Sequence, residues 1–170
     1  MHAPVILRTS HLKELKVMAM VRVECENRNK KRRVDLSYVK KTVSFTIGYL
    51  KIKGSTSLNI VFVSDQKIRA LNRKYLGSDR ATDVIAFWQG EGSCTSAKTG
   101  EKFLGDIAIS TDRALFNAKK FDTSYKYEVL LYVVHGVLHL LGYEDSTRSG
   151  KLKMKRIEDD ITEKIKKFKG

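Results

Sequence analysis

Apolar residues recur along this chain in two rhythms, and the places where one gives way to the other predict its elements. Val17 to Glu24 alternates as a half-buried strand does and is predicted as a first strand running into a basic segment. Leu36, Val39, Val43, Ile47 and Leu50 then recur at three- and four-residue steps, which makes one face of a helix, with Asp35 placed to cap its first free N–H groups. Gly54-Ser55 ends that helix, and Leu58 to Val63 is rich in β-formers at strand length. Ser64-Asp65 caps a short helix through Tyr75, with Ile68 and Leu71 inward. Thr82 to Trp88 and Leu104 to Ser110 are two further strands. Between them Gly90, Gly92 and Gly100 sit among polar residues, which predicts a solvent loop, with a hairpin-like connection or flap as the alternative.

Asp112 to Lys120 is a predicted short helix, and Asp122-Thr123-Ser124 supplies caps for the next. Tyr125 to Leu141 is apolar almost all round, so it is predicted as a buried central helix. From Thr147 onward Met154, Ile157, Ile161, Ile165 and Phe168 form one stripe of an amphipathic helix with lysines opposite. The order of elements predicts an α+β fold, a small mixed β-sheet packed against helices around the central buried one. At 170 residues and 42% hydrophobic content the chain is sized for one core, so a single domain over residues 1–170 is expected.

Charge narrows the partners. A formal net charge of +14 points to a polyanion, and the basic residues gather in Arg28 to Arg33, in Lys40-Lys41 and from Lys151 to Lys169. Any one cluster read alone is equally a solvated loop or helix face. Cys25 and Cys94 form no C-x-x-C pair, which implies neither a zinc finger nor a disulfide framework. No apolar run reaches the roughly 18 residues of a membrane span, and Val5-Ile6-Leu7 is short for a signal peptide, so a cytoplasmic protein with no membrane partner is expected.

The central helix carries the chemistry. It ends in His135-Gly136-Val137-Leu138-His139-Leu140-Leu141-Gly142-Tyr143-Glu144-Asp145. Residues four apart share a helix face, so the two imidazoles can chelate one ion. Gly142 lets the chain bend back and bring Asp145 in as a third donor. A lone core histidine is usually a packing residue; the pair, the terminating glycine and the carboxylate together make a His135–His139–Asp145 metal site. Its offsets match the metzincin signature, but that signature needs a Glu directly after the first His as general base, and Gly136 stands there, which excludes a metalloprotease. Two His and a carboxylate also describe non-haem iron oxygenases, whose many-stranded jelly roll this helical sequence lacks.

The motif is similar to H-G-x-L-H-L-x-G-Y-D-H, the signature of the bacterial YbeY family. Leu71-Asn72-Arg73-Lys74-Tyr75 with Thr82-Asp83-Val84-Ile85-Ala86-Phe87 resembles the family's L-N-x-x-Y-R…T-D-V-L-S-F-P block, and Leu104-Gly105-Asp106-Ile107-Ala108-Ile109-Ser110 resembles its L-G-D-I-x-I-S strand. The resemblance runs in order over residues 58 to 145. It implies a zincin-like fold and a single-strand-acting metal-dependent endoribonuclease in rRNA processing and ribosome maturation. It departs at Asp145, where the family has His, at Glu144, where it has Asp, and at Leu76, where it has an Arg important for activity. Ala86 and Trp88 replace its Ser and Pro, as changes in the cleft wall.

A carboxylate is an ordinary zinc donor, so one zinc per chain is expected, with another divalent transition metal as the alternative. RNA, as rRNA in the context of the ribosome or its precursors, is the expected partner. Arg73 and Arg80 are candidates for contacts with its phosphates. No general base stands out: Glu144 and Arg80 are candidate catalytic groups, although a solvated turn residue is the plainer account of Glu144. Glu128, two turns before His135, and Asp106 are candidates to orient the ligands. A non-catalytic RNA-binding ribosome-assembly factor with a structural metal is the alternative function, and it tolerates Leu76.

Overall fold

A computed structural model of the chain describes residues 20–90 and 95–167. The calls on Val5 to Leu7, the start of the predicted first strand at 17–19, Gly92, Cys94 and Phe168 lie outside them. In chain order the elements are β1 (Val21–Asn27), α1 (Leu36–Tyr49), β2 (Thr56–Val63), α2 (Asp65–Leu76), β3 (Val84–Trp88), β4 (Lys102–Ser110), α3 (Thr111–Lys120), α4 (Tyr125–Leu140) and α5 (Arg148–Lys167). The predicted caps are in place: Asp35, Ser64 and Ser124 accept from the N–H groups of Tyr38, Lys67 and Tyr127. Ser110, the last residue of β4, caps α3 by accepting from Arg113.

The four strands form one mixed sheet in the order β1-β2-β4-β3, with β1, β2 and β4 parallel and β3 antiparallel to β4. Its helical face packs Val23, Leu58, Ile60, Phe62, Ile107 and Ile109 against Val39, Val43 and Ile47 of α1 and Val129, Val133, Val137 and Leu140 of α4. The other stripe of α4, Leu130, Val134 and Leu138, is covered by Met154, Ile161 and Ile165 of α5. Two buried stripes on one helix explain why α4 is apolar almost all round. On the opposite face of the sheet α2 places Ile68 over Val63, Ile85 and Ala108.

Two glycines set how closely these layers meet. A Cβ on Gly136 would lie 2.7 Å from Ile107 Cγ2 and 3.3 Å from Val84 Cγ1, so this residue lets α4 settle on β3 and β4. The close neighbours of Gly136 are thus side chains of the sheet. In β4 the register with β2 slips, Ser57 facing Phe103 and Leu58 facing Gly105, so Leu104 is the extra residue of a bulge. Gly105 has φ +141°, and a Cβ there would stand 2.2 Å from the Phe87 carbonyl oxygen.

The basic run after β1 is only partly a solvated loop. Asn29 within it is buried and donates to Thr111 Oγ1 at 2.8 Å, and Arg28 pairs with Glu26 at 2.7 Å, which leaves Lys30, Lys31 and Arg33 exposed. The glycine-containing stretch before β4 combines both expectations. Its described side chains from 95 to 100 are exposed, yet Thr95 bridges Lys102 and Ser96 N–H donates to the Glu101 carbonyl at 2.9 Å, closing a small hairpin. Among the described residues no helix is long and apolar enough to cross a membrane.

Candidate metal centre

His135 and His139 occupy the one stripe of α4 that neither the sheet nor α5 fully covers, and both are half-buried. The helix ends in a Schellman turn: Gly142 N–H donates to the His139 carbonyl at 3.0 Å and Tyr143 N–H to the Leu138 carbonyl at 3.0 Å. Gly142 adopts φ +83°, as its place in that turn requires. The turn reverses the chain and carries Asp145 back over the last helical turn. Thr147 then opens α5, its Oγ1 accepting from Gly150 N–H at 3.0 Å. A Cβ on Gly150 would stand 2.3 Å from the Glu144 carbonyl, so only a glycine lets α5 start directly against this turn.

The result brings His135, His139 and Asp145 together, with one ligand atom from each within 4.8 Å of the others. The two Nε2 atoms are 3.0 Å apart, and His139 Nε2 is 4.0 Å from Asp145 Oδ1. Ligands bound tetrahedrally at ~2.0–2.1 Å are separated by about 3.3 Å, between these two distances. Each ring is oriented through its other nitrogen: His135 Nδ1 lies 2.7 Å from Glu158 Oε1, and His139 Nδ1 lies 3.0 Å from the Tyr143 carbonyl oxygen.

Proton counting tests whether these residues fit a cation. The Glu158 and Tyr143 contacts each need an Nδ1–H donor, and the Nε2–Nε2 contact needs a further hydrogen if it is to be a hydrogen bond. Two neutral rings carry two protons for three contacts. With both protons on Nδ1, two lone pairs face each other at 3.0 Å, an arrangement that a shared cation satisfies. Burial first, and then the neighbouring His135, hold His139 below the ordinary imidazole value, which favours the neutral form a metal needs. The residues therefore fit a metal ion.

Glu158 is the member of this candidate site that sequence reasoning missed. It does what was expected of Glu128 or Asp106, and both of those are corrected. Glu128 is buried at the other end of α4, where it accepts from the Thr123 hydroxyl, and Asp106 accepts from Asn59 Nδ2 at 2.8 Å. A signal for Glu158 was present: it falls four residues after Met154 and three before Ile161, a carboxylate on the apolar face of α5. Because an outer partner of this kind fixes tautomer and ring angle, Glu158→Gln is expected to lower metal affinity by roughly 10–100-fold. Competition with a chromophoric chelator measures this; unchanged affinity would show that Glu158 does not orient the ligand.

The other candidates make contacts of their own, separate from the three ligands. Glu144 is exposed, and it is its carbonyl that the turn uses, packed over Gly150. Arg73 lies 3.9 Å from Asp79, which Arg69 binds with two hydrogen bonds at 2.7 and 3.0 Å. The Arg80 carbonyl accepts from buried Asn72, and its side chain lines a concavity of about 700 Å³ with Arg69 and Arg113. Leu76 is 63% exposed at the end of α2.

Asp83, just before β3, is half-buried, and burial raises its carboxyl above the usual 3.8 against the lowering pull of Arg113 and His135. The sign follows. Above its folded value Asp83 is charged in both states and burial costs stability; below 3.8 it is neutral in both and that cost is gone. Asp83→Asn is therefore expected to stabilise the metal-free protein near pH 7 and to leave it unchanged near pH 3, as read by urea denaturation at the two pH values. A variant less stable at pH 7 would contradict this.

Comparison with known proteins places these residues in a wider set. The family model described as endoribonuclease YbeY matches residues 24–166. The chain is 40% identical to the endoribonuclease YbeY of Oenococcus oeni over 115 residues, 68% of this chain and 74% of that one. It is 30% identical to that of Clostridium botulinum over 154 residues, 80% of this chain and 93% of that one. Among solved structures, the solution structure of TM1509 from Thermotoga maritima superposes with a TM-score of 0.59 at 26% identity, over 86% of this chain and 89% of that one.

Proposed function

Because the chain belongs to the endoribonuclease YbeY family, we propose that it is a metal-dependent endoribonuclease of rRNA processing whose ion is held by His135, His139 and Asp145. The observation that carries this is the pair of Nε2 atoms 3.0 Å apart, each ring already committed through Nδ1 to another acceptor. Two imidazoles and one carboxylate are an ordinary zinc set, and three protein ligands leave a fourth position for water or substrate. Zinc, one ion per chain, is the metal we favour. Bound there, it would supply a Lewis acid for a phosphoryl oxygen and a water of lowered pKa.

The chain's own residues do the rest. Glu158 and the Tyr143 carbonyl hold the two rings in one tautomer and orientation. Asp145 is 45% exposed at the side chain, so the three ligands would hold an ion where a polymer can approach from solvent. Arg73 on α2 and Arg80 in the loop after it are the residues we assign to substrate phosphates. The net charge of +14 suits a polyanion, and precursors of the ribosome in the cytoplasm are the context that the family suggests for a protein folded as one unit.

The test is cleavage of single-stranded and structured RNA with a chelator control. Chelation is expected to abolish internal cleavage and added zinc to restore it. Cleavage that persists after the metal has been removed contradicts the proposal, and specific RNA binding without cleavage at any metal loading favours a non-catalytic assembly factor.

A further inference from the structure

β3 is an edge strand that pairs with β4 on one side, and it runs along α4 in step with the metal ligands. Val84 approaches Gly136, next to His135. At the other end the Phe87 carbonyl meets Gly105 together with Leu140 Cδ2, from the residue that follows His139. Strand alternation then fixes sides. Val84 and Ala86 pack into the core shared with α4, whereas Ile85 and Phe87 pack into the smaller core under α2. Trp88 has the parity of Val84 and Ala86, and its partner across the ladder is Gly105, which has no side chain to cover it.

Trp88 thus emerges on the α4 side, past the end of the core and beside the turn of helix that bears His139. It is 53% exposed, although tryptophan is among the side chains most buried on average. The strand beneath it is anchored from the other face by Tyr75, whose ring meets Phe87 edge-on at 5.2 Å. An exposed indole on the strand that packs along the ligand-bearing helix, in a strongly basic chain, matches the pairing of charge and aromatic surface by which proteins hold unpaired nucleic acid.

We propose that Trp88 stacks a nucleobase of the unpaired substrate strand next to the metal centre; this rests on the endoribonuclease reading above. In a duplex the base faces are occupied by their neighbours. An unpaired strand offers a free face from any base, so such stacking would come with little sequence preference.

Trp88 is the chain's one tryptophan, so its intrinsic fluorescence reports the contact directly. Metal-loaded full-length protein is titrated with short oligouridylate RNA, with an RNA duplex of the same length, and with inorganic polyphosphate. Oligouridylate is expected to quench the emission saturably, and the duplex and polyphosphate to leave it unchanged. In cleavage of single-stranded RNA, Trp88→Ala is expected to raise KM roughly five- to hundredfold with little change in kcat and none in metal content, while Trp88→Phe recovers most of the loss. Equal quenching by polyphosphate, or an unchanged KM in Trp88→Ala, overturns the proposal. Normal cleavage with silent emission removes the role of Trp88 and leaves the endoribonuclease reading standing. Absence of both RNA binding and cleavage in the unaltered protein removes both.

Discussion

His139→Ala is expected to lose the metal while keeping the fold. His139 Nε2 is the shared corner of the site, 3.0 Å from His135 Nε2 and 4.0 Å from Asp145 Oδ1, so its removal leaves two donors with no third to close the set. The loss in affinity should go well beyond the roughly 10–100-fold typical of an outer partner such as Glu158. Stability should move little. Alanine gains about 0.6 kcal/mol of helix propensity over histidine, the lost hydrogen bond to the Tyr143 carbonyl costs about 1 kcal/mol, and the crowding of lone pairs in the metal-free site disappears. Metal content after gel filtration and thermal unfolding of the metal-free proteins check the two halves. A variant that retains one equivalent of metal would place the site elsewhere.

The largest effect on stability is expected from Gly105→Ala. A methyl group there would meet the backbone oxygen of Phe87 at 2.2 Å, and backbone cannot yield as a side-chain tip does. Leu140 Cδ2 at 2.9 Å blocks retreat towards the helix, and φ +141° is strained for any residue with a Cβ. Backbone strain and overpacking together come to roughly 3–5 kcal/mol, a large part of the total stability of a typical domain. For a chain of this size that corresponds to a fall in Tm of about 10 °C or more, measured by calorimetry. Because β3 is held at this point, a variant that still folds should also bind metal less tightly. Wild-type stability in Gly105→Ala would show that the bulge is not what fixes β3 against α4.

Much of the fold was legible because it is written locally. The caps Asp35, Ser64 and Ser124, the stripe of α1 and the doubly apolar α4 each depend on residues a few positions apart, and all appear where the sequence places them. So do the two histidines and Gly142, since a helix and the turn that ends it are set by near neighbours. What was not legible is non-local. The order β1-β2-β4-β3 and the slip at Leu104 depend on pairings between distant segments, and nothing in β4 alone announces that Phe87 will press against Gly105. Glu158 belongs with these. Its address on the apolar face of α5 was visible, but that it reaches His135 depends on how α5 crosses α4. Glu128 shares a helix face with His135 by spacing and fails because two turns put it about 10 Å away along the axis, where it accepts from Thr123 instead.

Trp88 shows the same division. Its strand is readable from the sequence, and so is its place where the family has proline, but only the sheet order shows that it stands on the edge strand opposite Gly105. The claim on which the rest depends is that His135, His139 and Asp145 hold the ion that cleaves RNA. Its most direct test is to follow internal cleavage of a single-stranded RNA while zinc is titrated into chelated protein, for the unaltered chain and for His135→Ala. Activity is predicted to rise to saturation at one equivalent in the former and to stay at background in the latter. Undiminished cleavage by His135→Ala would contradict it.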